Sequence, residues 1–243
     1  MDAQDLKVFV ILPTYNEAEN LPILIPQLLA FEPLNILVID DDSPDGTAGV
    51  ARDLQKEYGP RVDLVHRCGL PRGLGLAYAC GFKEALERGA EIIIGMDADL
   101  SHSPSYIPAM LESLQKEGYD IVVGSRYTDG GGVDGNWSWQ RKFLSWGAQQ
   151  WARLLLGVKT RDVTGAFRCY SRHALEALDL EKMNLDGFSF LIEIIYQAER
   201  KSLGVGEVPI IFRDREHGNS KVSLRIIFKA LVRITSLALE GGR

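Results

Sequence analysis

Short apolar runs alternate with longer segments of helical periodicity through the first half of the chain. The runs at Lys7–Leu12, Ile36–Asp40, Val62–His66, Glu91–Met96 and Ile121–Ser125 have the length and β-branched content of buried strands. Between them, Ala18–Ala30, Thr47–Tyr58, Gly75–Arg88 and Pro104–Glu117 repeat apolar residues at three- and four-residue intervals and predict helices. Such alternation produces an α/β fold, with parallel strands, right-handed crossovers and helices on both faces of the sheet. After Ser125 the rhythm breaks. A loop containing Gly130, Gly131, Gly132 and Gly135 leads to a helical pattern over Trp139–Leu156. Beyond it come Thr164–Tyr170, a helix at Ser189–Lys201, a strand at Val205–Arg213 and a final helix from Ser223 to Glu240. With no internal repeat or linker, residues 1–243 read as one domain with a C-terminal elaboration.

The fourth apolar run leads straight into Asp97-Ala98-Asp99-Leu100-Ser101-His102. Side chains two apart on an extended segment face the same way, so Asp97 and Asp99 can aim two carboxylates at one point. Two oxygen ligands, with other positions left to water or substrate, suit Mg²⁺ or Mn²⁺ carrying phosphate oxygens. In open α/β sheets ligands bind beyond the carboxyl ends of the strands, which is where this pair lies. The alternative is that Asp99 or Ser101 caps the helix beginning near Ser103-Pro104.

Other strand ends are polar too. The first leads into Pro13-Thr14-Tyr15-Asn16-Glu17, the second into Asp40-Asp41-Asp42-Ser43-Pro44-Asp45-Gly46. Four carboxylates so close repel one another unless donors or a cation intervene. Pro44-Asp45-Gly46 is turn chemistry, with Asp45 placed to cap the next helix. Asp41, pointing back over the sheet, is the member assigned to ligand; it could accept paired N–H groups of guanine or a ribose hydroxyl. Gly73-Leu74-Gly75 beside Arg72 reads as a tight turn into a helix. Gly124-Ser125-Arg126 sets a guanidinium beside the acidic pair, as a salt-bridge partner or a phosphate clamp. Arg215 and Lys221 flank a glycine-containing loop six residues apart.

Composition narrows the picture. The chain is 46% hydrophobic and 25% charged, as in an ordinary globular protein. Cys68, Cys80 and Cys169 are scattered, which argues against a disulfide framework or a zinc motif and for a reducing compartment. Residues Met1–Asp5 are polar and no apolar run approaches the roughly 20 residues of a membrane span. The net charge of −6 argues against nucleic acid as a partner. It hides an asymmetry. Between Trp137 and Arg172 there are seven basic residues and one acid, Asp162; from Arg213 to Arg233 there are six basic residues and two acids. The later half thus offers a positive surface to an anionic partner.

The Leu12–Glu17 motif, the Asp40–Gly46 turn, Asp97–His102, Gly124-Ser125-Arg126 and His217-Gly218-Asn219-Ser220-Lys221, in this order, resemble those of dolichyl-phosphate (polyprenyl-phosphate) mannosyltransferases. These are inverting glycosyltransferases of the GT-A fold in family 2, and the resemblance covers Lys7 to Lys221. It implies a GT-A, Rossmann-like sheet, with a donor half over 1–126 and an acceptor- and membrane-facing half over 127–243. It implies transfer of mannose from GDP-mannose to a polyprenyl phosphate, with Mg²⁺ or Mn²⁺ as cofactor. By the same resemblance Pro13, Tyr15, Glu17, Ile39 and Asp41 hold the nucleoside, and Asp97 and Asp99 hold metal and diphosphate. Ala98, Arg126, Arg215 and Lys221 complete the donor site. Ser101 stands where some relatives carry Gln as a further metal ligand, and Arg141 and Ser145, with Arg126, grip the lipid phosphate.

No catalytic His or Cys stands out; His66, His102, His173 and His217 read as structural or peripheral. A phosphate nucleophile explains this, because its second pKa near ~6 leaves it ionised at neutral pH without a dedicated base. All four tryptophans (Trp137, Trp139, Trp146, Trp151) lie within fifteen positions and mix with Arg141, Lys142 and Arg153, a pattern suited to a membrane interface. The final helix repeats the theme: Arg225, Lys229 and Arg233 make one stripe, with Ile227, Leu231, Ile234 and Ala238 opposite. Packing against the domain explains that helix equally well. The expected location is cytoplasmic, peripheral to a membrane, alone or with an anchoring subunit. The alternatives are the same fold using UDP-glucose, a sugar-nucleotide pyrophosphorylase, a phosphatase built around Asp-x-Asp, or a non-catalytic nucleotide-binding subunit. The pyrophosphorylase lacks its glycine-rich loop after the first strand, and the phosphatase expects its nucleophile there.

Overall fold

The computed structural model describes residues 6–134, 139–180, 183, 185, 189–214 and 232–239, with Arg141 described for its backbone alone. Its centre is a seven-stranded sheet in the order β3-β2-β1-β4-β7-β5-β8. The strands are β1 (Val8–Thr14), β2 (Leu34–Asp40), β3 (Val62–His66), β4 (Ile92–Gly95), β5 (Ile121–Ser125), β7 (Arg168–Ser171) and β8 (Val205–Pro209). A two-stranded parallel ribbon of β6 (Gly132–Val133) and β9 (Ile211–Phe212) lies beside it. The helices are α1 (Leu21–Leu29), α2 (Thr47–Tyr58), α3 (Leu74–Glu87), α4 (Ile107–Lys116), α5 (Trp139–Leu156), α6 (Arg172–Ala177) and α7 (Ser189–Arg200), with a further helical run over 232–239.

The two faces of the sheet fill with alternate residues of the same strands, as the two-residue side-chain period requires. Val10, Leu12, Ile36 and Val38 pack with Leu24 and Leu28 of α1, Leu54 of α2 and Met110 of α4. Ile11, Leu37 and Ile39 pack on the other face with Phe82 of α3, Phe190 of α7, and Ile234 and Leu237. At Gly81 of α3 helix and sheet approach closely: a Cβ there would stand 2.5 Å from the Ile11 side chain.

The structure departs from the sequence pattern chiefly after Ser125. The Thr164–Tyr170 segment becomes a strand only at Arg168–Ser171, and it is inserted antiparallel between β4 and β5. The single expected strand Val205–Arg213 is two. Ile210 N donates to Ser125 O (3.0 Å), and the chain then leaves the main sheet to pair with β6, which forms inside the expected glycine loop. Pro209, which has no N–H to give, stands at that step. The final helix, expected over Ser223–Glu240, is described only at 232–239, with Arg225, Ile227, Lys229 and Leu231 outside the described residues. That run turns Ile234 and Leu237 into the core, and Arg233 pairs with buried Glu193 of α7 through Nε (3.2 Å) and Nη2 (3.0 Å).

Phe82 is fully buried among Tyr78, Tyr170 and Phe190, with ring centroids at 5.7, 5.1 and 6.4 Å. Removing a buried phenyl ring loses its transfer energy and leaves a cavity. Phe82→Ala is expected to lower unfolding free energy by about 3–5 kcal/mol in urea titration, with the slope of the transition unchanged.

Candidate active site

Because β1 to β5 all run parallel, their carboxyl ends share one rim, and each delivers a loop to it. The first two loops interlock. Asn16 N donates to Ser43 Oγ (3.0 Å), Glu17 N to Thr47 Oγ1 (2.9 Å), and Ala18 N to Asp45 Oδ2 (3.1 Å). The acidic turn is relieved by donors residue by residue. Asp40, wholly buried, accepts from Thr14 Oγ1 (3.1 Å), Ser43 N (3.1 Å) and the Ser43 hydroxyl. Asp45 accepts from Thr47 N (3.0 Å) at the start of α2. Burial pushes its carboxyl up, but the Thr47 and Ala18 hydrogen bonds hold it below the ordinary range.

Asp41 is clamped by donors from the β3–α3 loop. The buried Arg67 guanidinium donates to Oδ1, and Gly73 N donates to Oδ2 at 2.8 Å. Arg72 from the same loop reaches Tyr15 Oη (3.0 Å) and stacks over its ring at 4.9 Å. Its Nη2 donates to Asp42 O (3.0 Å). Pro13 lies opposite Ile39 in the β1–β2 register, and the Glu17 carboxylate accepts from Asn20 Nδ2 at 2.7 Å. The Ile39 side chain belongs to the core, so only its backbone can serve a ligand.

β4 ends at Gly95, so the acidic pair sits in a loop two residues beyond the strand, not on it. Local hydrogen bonds set its geometry instead of strand alternation. Asp97 N donates to His102 Nδ1 (3.2 Å), which fixes His102 as the acceptor. That ring is buried between Phe167 (5.2 Å, stacked) and Phe212 (5.3 Å, edge-on). Leu100 adopts φ 64°, and the turn brings Ser101 N (3.1 Å) and the Ser101 hydroxyl onto Asp99 Oδ1. Ser101 therefore orients Asp99 as a hydrogen-bond donor. Beneath the pair, burial and then the Asp97 charge push the Tyr78 phenol well above its ordinary pKa. The close packing of Tyr78 on Gly95, where a Cβ would meet Cε1 at 2.8 Å, excludes a side chain there. Two carboxylates with no sulfur or nitrogen ligand in the pair match a hard divalent ion.

Arg126 follows β5. Its Nε and Nη2 bind Asp162 Oδ2 (2.7 Å) and Oδ1 (2.8 Å), and Nη2 also reaches Thr164 Oγ1 (2.9 Å). The Arg126 backbone N–H adds a bond to Asp162 Oδ2 (3.1 Å). Gln149 of α5 donates to Asp162 Oδ1 (3.1 Å), and Gly165 N donates to the same oxygen (2.9 Å). Asp162 is wholly buried. Burial alone would raise its carboxyl pKa, but the Arg126 charge and hydrogen bonds hold it below the usual carboxylate range. Burial likewise acts to lower Arg126; Asp162 outweighs it and leaves the guanidinium above its ordinary value, with Asp97 contributing. The guanidinium rests over the Tyr127 and Phe212 rings at 5.4 and 5.5 Å, with Nη1 not engaged by Asp162.

The rim thus gathers Pro13, Tyr15, Glu17, Asp41, Asp97, Ala98, Asp99, Ser101 and Arg126 on adjoining loops. Ser145 of α5 meets Tyr127 Oη at 2.7 Å, one residue from Arg126. Arg215 and Lys221, with His217, lie outside the described residues, as does the side chain of Arg141. The sequence gives no site role to Arg67, Gln149, Asp162 and Thr164; Arg72 is noted there only beside a turn, and His102, read as structural, does serve a structural bond. One signal for Asp162 was available: it is the single acid in a segment with seven basic residues.

The Glycosyl transferase family 2 profile matches residues 9–179, more than two thirds of the chain. The chain belongs to glycosyltransferase family 2. Within the family it is 40% identical over 236 residues to the polyprenol monophosphomannose synthase of Mycolicibacterium smegmatis, covering 97% of this chain and 88% of that protein. It is 39% identical over 237 residues to the undecaprenyl-phosphate mannosyltransferase of Micrococcus luteus, covering 97% and 96% respectively. In fold, the transferase superposes on glucosyl-3-phosphoglycerate synthase from Mycobacterium tuberculosis. The complex of that enzyme with Mn²⁺ and UDP-glucose gives a TM-score of 0.66 at 17% identity, covering 97% and 79% of the two chains. Its complex with Mn²⁺, UDP and glucosyl-3-phosphoglycerate gives 0.68 at 18%, covering 97% and 80%. These complexes share the GT-A architecture.

The Arg126–Asp162 pair has a pH signature. A carboxyl depressed in the folded state contributes stability above its unfolded pKa of about 3.9 and loses it as pH falls through the folded value. Thermal unfolding of the wild type should therefore fall steeply below about pH 4, whereas Asp162→Asn should start lower near neutrality and show a shallower acid slope. Transfer activity of Asp162→Asn at pH 7 is expected to drop roughly 10- to 100-fold, as when an outer partner that orients a site group is lost.

Proposed function

We propose that this protein transfers mannose from GDP-mannose to a polyprenyl monophosphate at a membrane surface, inverting the anomeric carbon to give a β-mannosyl phosphoryl polyprenol. The observation that carries the reading is the 39–40% identity, over 97% of the chain, to two enzymes named for polyprenyl-phosphate mannose synthesis or transfer. The rim chemistry agrees with it. Asp97 and Asp99 would hold the divalent ion, Mg²⁺ or Mn²⁺, which when bound supplies positive charge for the departing diphosphate. Arg126, oriented by Asp162, faces the same anion with its remaining nitrogen. Cations at the rim such as Arg126 would offset the repulsion between the donor's diphosphate and the acceptor's phosphate, and by the family resemblance Arg215 and Lys221 would add to them. The acceptor oxygen is already ionised at neutral pH, so no side chain needs to remove a proton, in keeping with the buried His102 imidazole serving a backbone N–H. Asp41 supports guanine: a carboxylate has about four lone-pair sites, and Arg67 and Gly73 occupy two of them.

The acceptor's lipid chain calls for an apolar surface beside the rim, and α5 supplies it. Trp139 (74% exposed), Phe143, Trp146, Trp151 and Leu154 (80% exposed) are turned to solvent on that helix, while Gln149 and Ala152 are turned inward. Among the described residues no helix is long and apolar enough to cross a membrane. An amphipathic helix with exposed tryptophans, continuous with the Ser145–Tyr127 contact, suits binding in the plane of the interface. An anchoring subunit is not required by this arrangement.

The test is transfer from a panel of radiolabelled sugar nucleotides to a polyprenyl phosphate with Mn²⁺. Product from GDP-mannose, lost in Asp99→Ala with the circular dichroism unchanged, is the expected result; product from UDP-glucose alone would overturn the donor assignment. Replacing Trp139, Trp146 and Trp151 together with Ser is expected to abolish co-sedimentation with anionic liposomes and to slow transfer to long-chain acceptors more than to short, water-soluble ones.

A further inference from the structure

We propose that Asp42, His66 and Cys68 form a second cation site, for a thiophilic divalent ion such as Zn²⁺, distinct from the all-oxygen pair Asp97 and Asp99. The scattered cysteines hide it from the sequence, but two neighbouring parallel strands bring the residues together. Asp42 lies two residues beyond β2, His66 ends β3, and Cys68 lies two residues beyond that. A carboxylate oxygen, a ring nitrogen and the thiol sulfur from these three all lie within 4.8 Å of one another.

The histidine geometry points to a ligand. His66 Nε2 stands 3.4 Å from Asp42 Oδ1 and 3.6 Å from Asp40 Oδ2. Both distances exceed the usual N–H···O range of about 2.7–3.2 Å. The shorter one matches two ligands on a single ion: with metal bonds of about 2.0–2.1 Å at tetrahedral angles, nitrogen and oxygen donors sit roughly 3.3 Å apart. Imidazole, thiolate and carboxylate make a donor set that Zn²⁺ accepts and that Mg²⁺ does not favour. His66 and Cys68 are exposed, so access is open and water can fill the fourth position.

Binding carries its own proton balance. The Cys68 thiol releases its proton to solvent, and the neutral imidazole keeps one proton, on Nδ1, while Nε2 takes the ion. Nδ1 now faces the donor Arg52 Nη2 at 3.2 Å, so the exposed Arg52 side chain must swing into solvent as the ion enters. The ion would share its loops with the nucleoside-facing residues, because Arg67, between His66 and Cys68, holds Asp41.

The test is titration of the full chain with Co²⁺ and Zn²⁺ in excess Mg²⁺. Two signals are followed: cobalt–thiolate charge-transfer absorption, and protection of Cys68 from alkylation mapped apart from Cys80 and Cys169. One ion per chain that protects Cys68 supports the site. Cys68→Ser should abolish the charge-transfer band, and Cys68→Ser and His66→Asn should each weaken binding by at least the roughly tenfold seen when even an outer-shell partner is lost. Arg52→Ala should bind at least as tightly as the wild type. Zinc binding that leaves Cys68 fully reactive, that persists in Cys68→Ser, or that disappears in Asp99→Ala would overturn the proposal.

Discussion

If every strand of this sheet ran parallel, the loop leading into each would arrive at the edge opposite the ligand rim. β7 runs antiparallel between β4 and β5, so its leading loop arrives at the rim and carries Asp162 to Arg126. The ion pair made there has neither partner in open solvent, and each buried ion carries a desolvation penalty of several kcal/mol. The structure answers with saturation: Arg126 contributes three donors to Asp162, and Gln149 and Gly165 one each. A pair so fully hydrogen-bonded adds little net stability compared with apolar packing, but it admits few orientations. What it fixes is the direction of a guanidinium beside two carboxylates. The loop is itself held from behind, since Glu207 accepts from the backbone N–H groups of Arg161 (3.0 Å) and Asp162 (3.1 Å).

The same logic governs the side of the rim built on β1 and β2. Crowded acids at the end of β2 are stable because donors come to them from β1 and from the loop after β3. Asp41 is then not a flexible surface carboxylate but an acceptor aimed by Arg67 and Gly73. Tyr15 is held the same way by Arg72. In both halves of the rim the side chains assigned to ligand are reached by a second residue that fixes them, which is the arrangement a preorganised charge-stabilising site requires.

This division explains what the sequence could reveal. Val62–His66, Ile121–Ser125, Thr47–Tyr58 and Trp139–Leu156 agree with the observed elements because each depends on local periodicity. The residues at the rim were legible for a related reason: motifs such as Asp97-Ala98-Asp99 are contiguous. Their supports are not. Asp41 and Arg67 are 26 positions apart, and Arg126 and Asp162 are 36 apart, so no local pattern joins them. Strand alternation, from which a shared direction for Asp97 and Asp99 was expected, does not reach past Gly95; the turn at Leu100 sets the pair instead. The break at Ile210 was hidden because apolar residues continue across it while their partner strand changes.

The two amphipathic segments of the later half show where periodicity stops being informative. Each carries an apolar stripe and a basic one. In α5 much of the apolar surface stays in solvent. In the 232–239 run Ile234 and Leu237 enter the core, and Arg233 is drawn onto Glu193. The difference lies outside the helices. α7 presents a buried carboxylate and an apolar surface to the second segment, so burial there satisfies charge and hydrophobic contact together. The inner face of α5 is instead committed through Gln149 to the Asp162 network, and Gln149 spends both ends of its amide there, on Asp162 and on Val163 N. Rotating α5 to bury its tryptophans would pull that amide away and release the carboxylate that directs Arg126. The exposed aromatic face of α5 is therefore a consequence of how the rim is built.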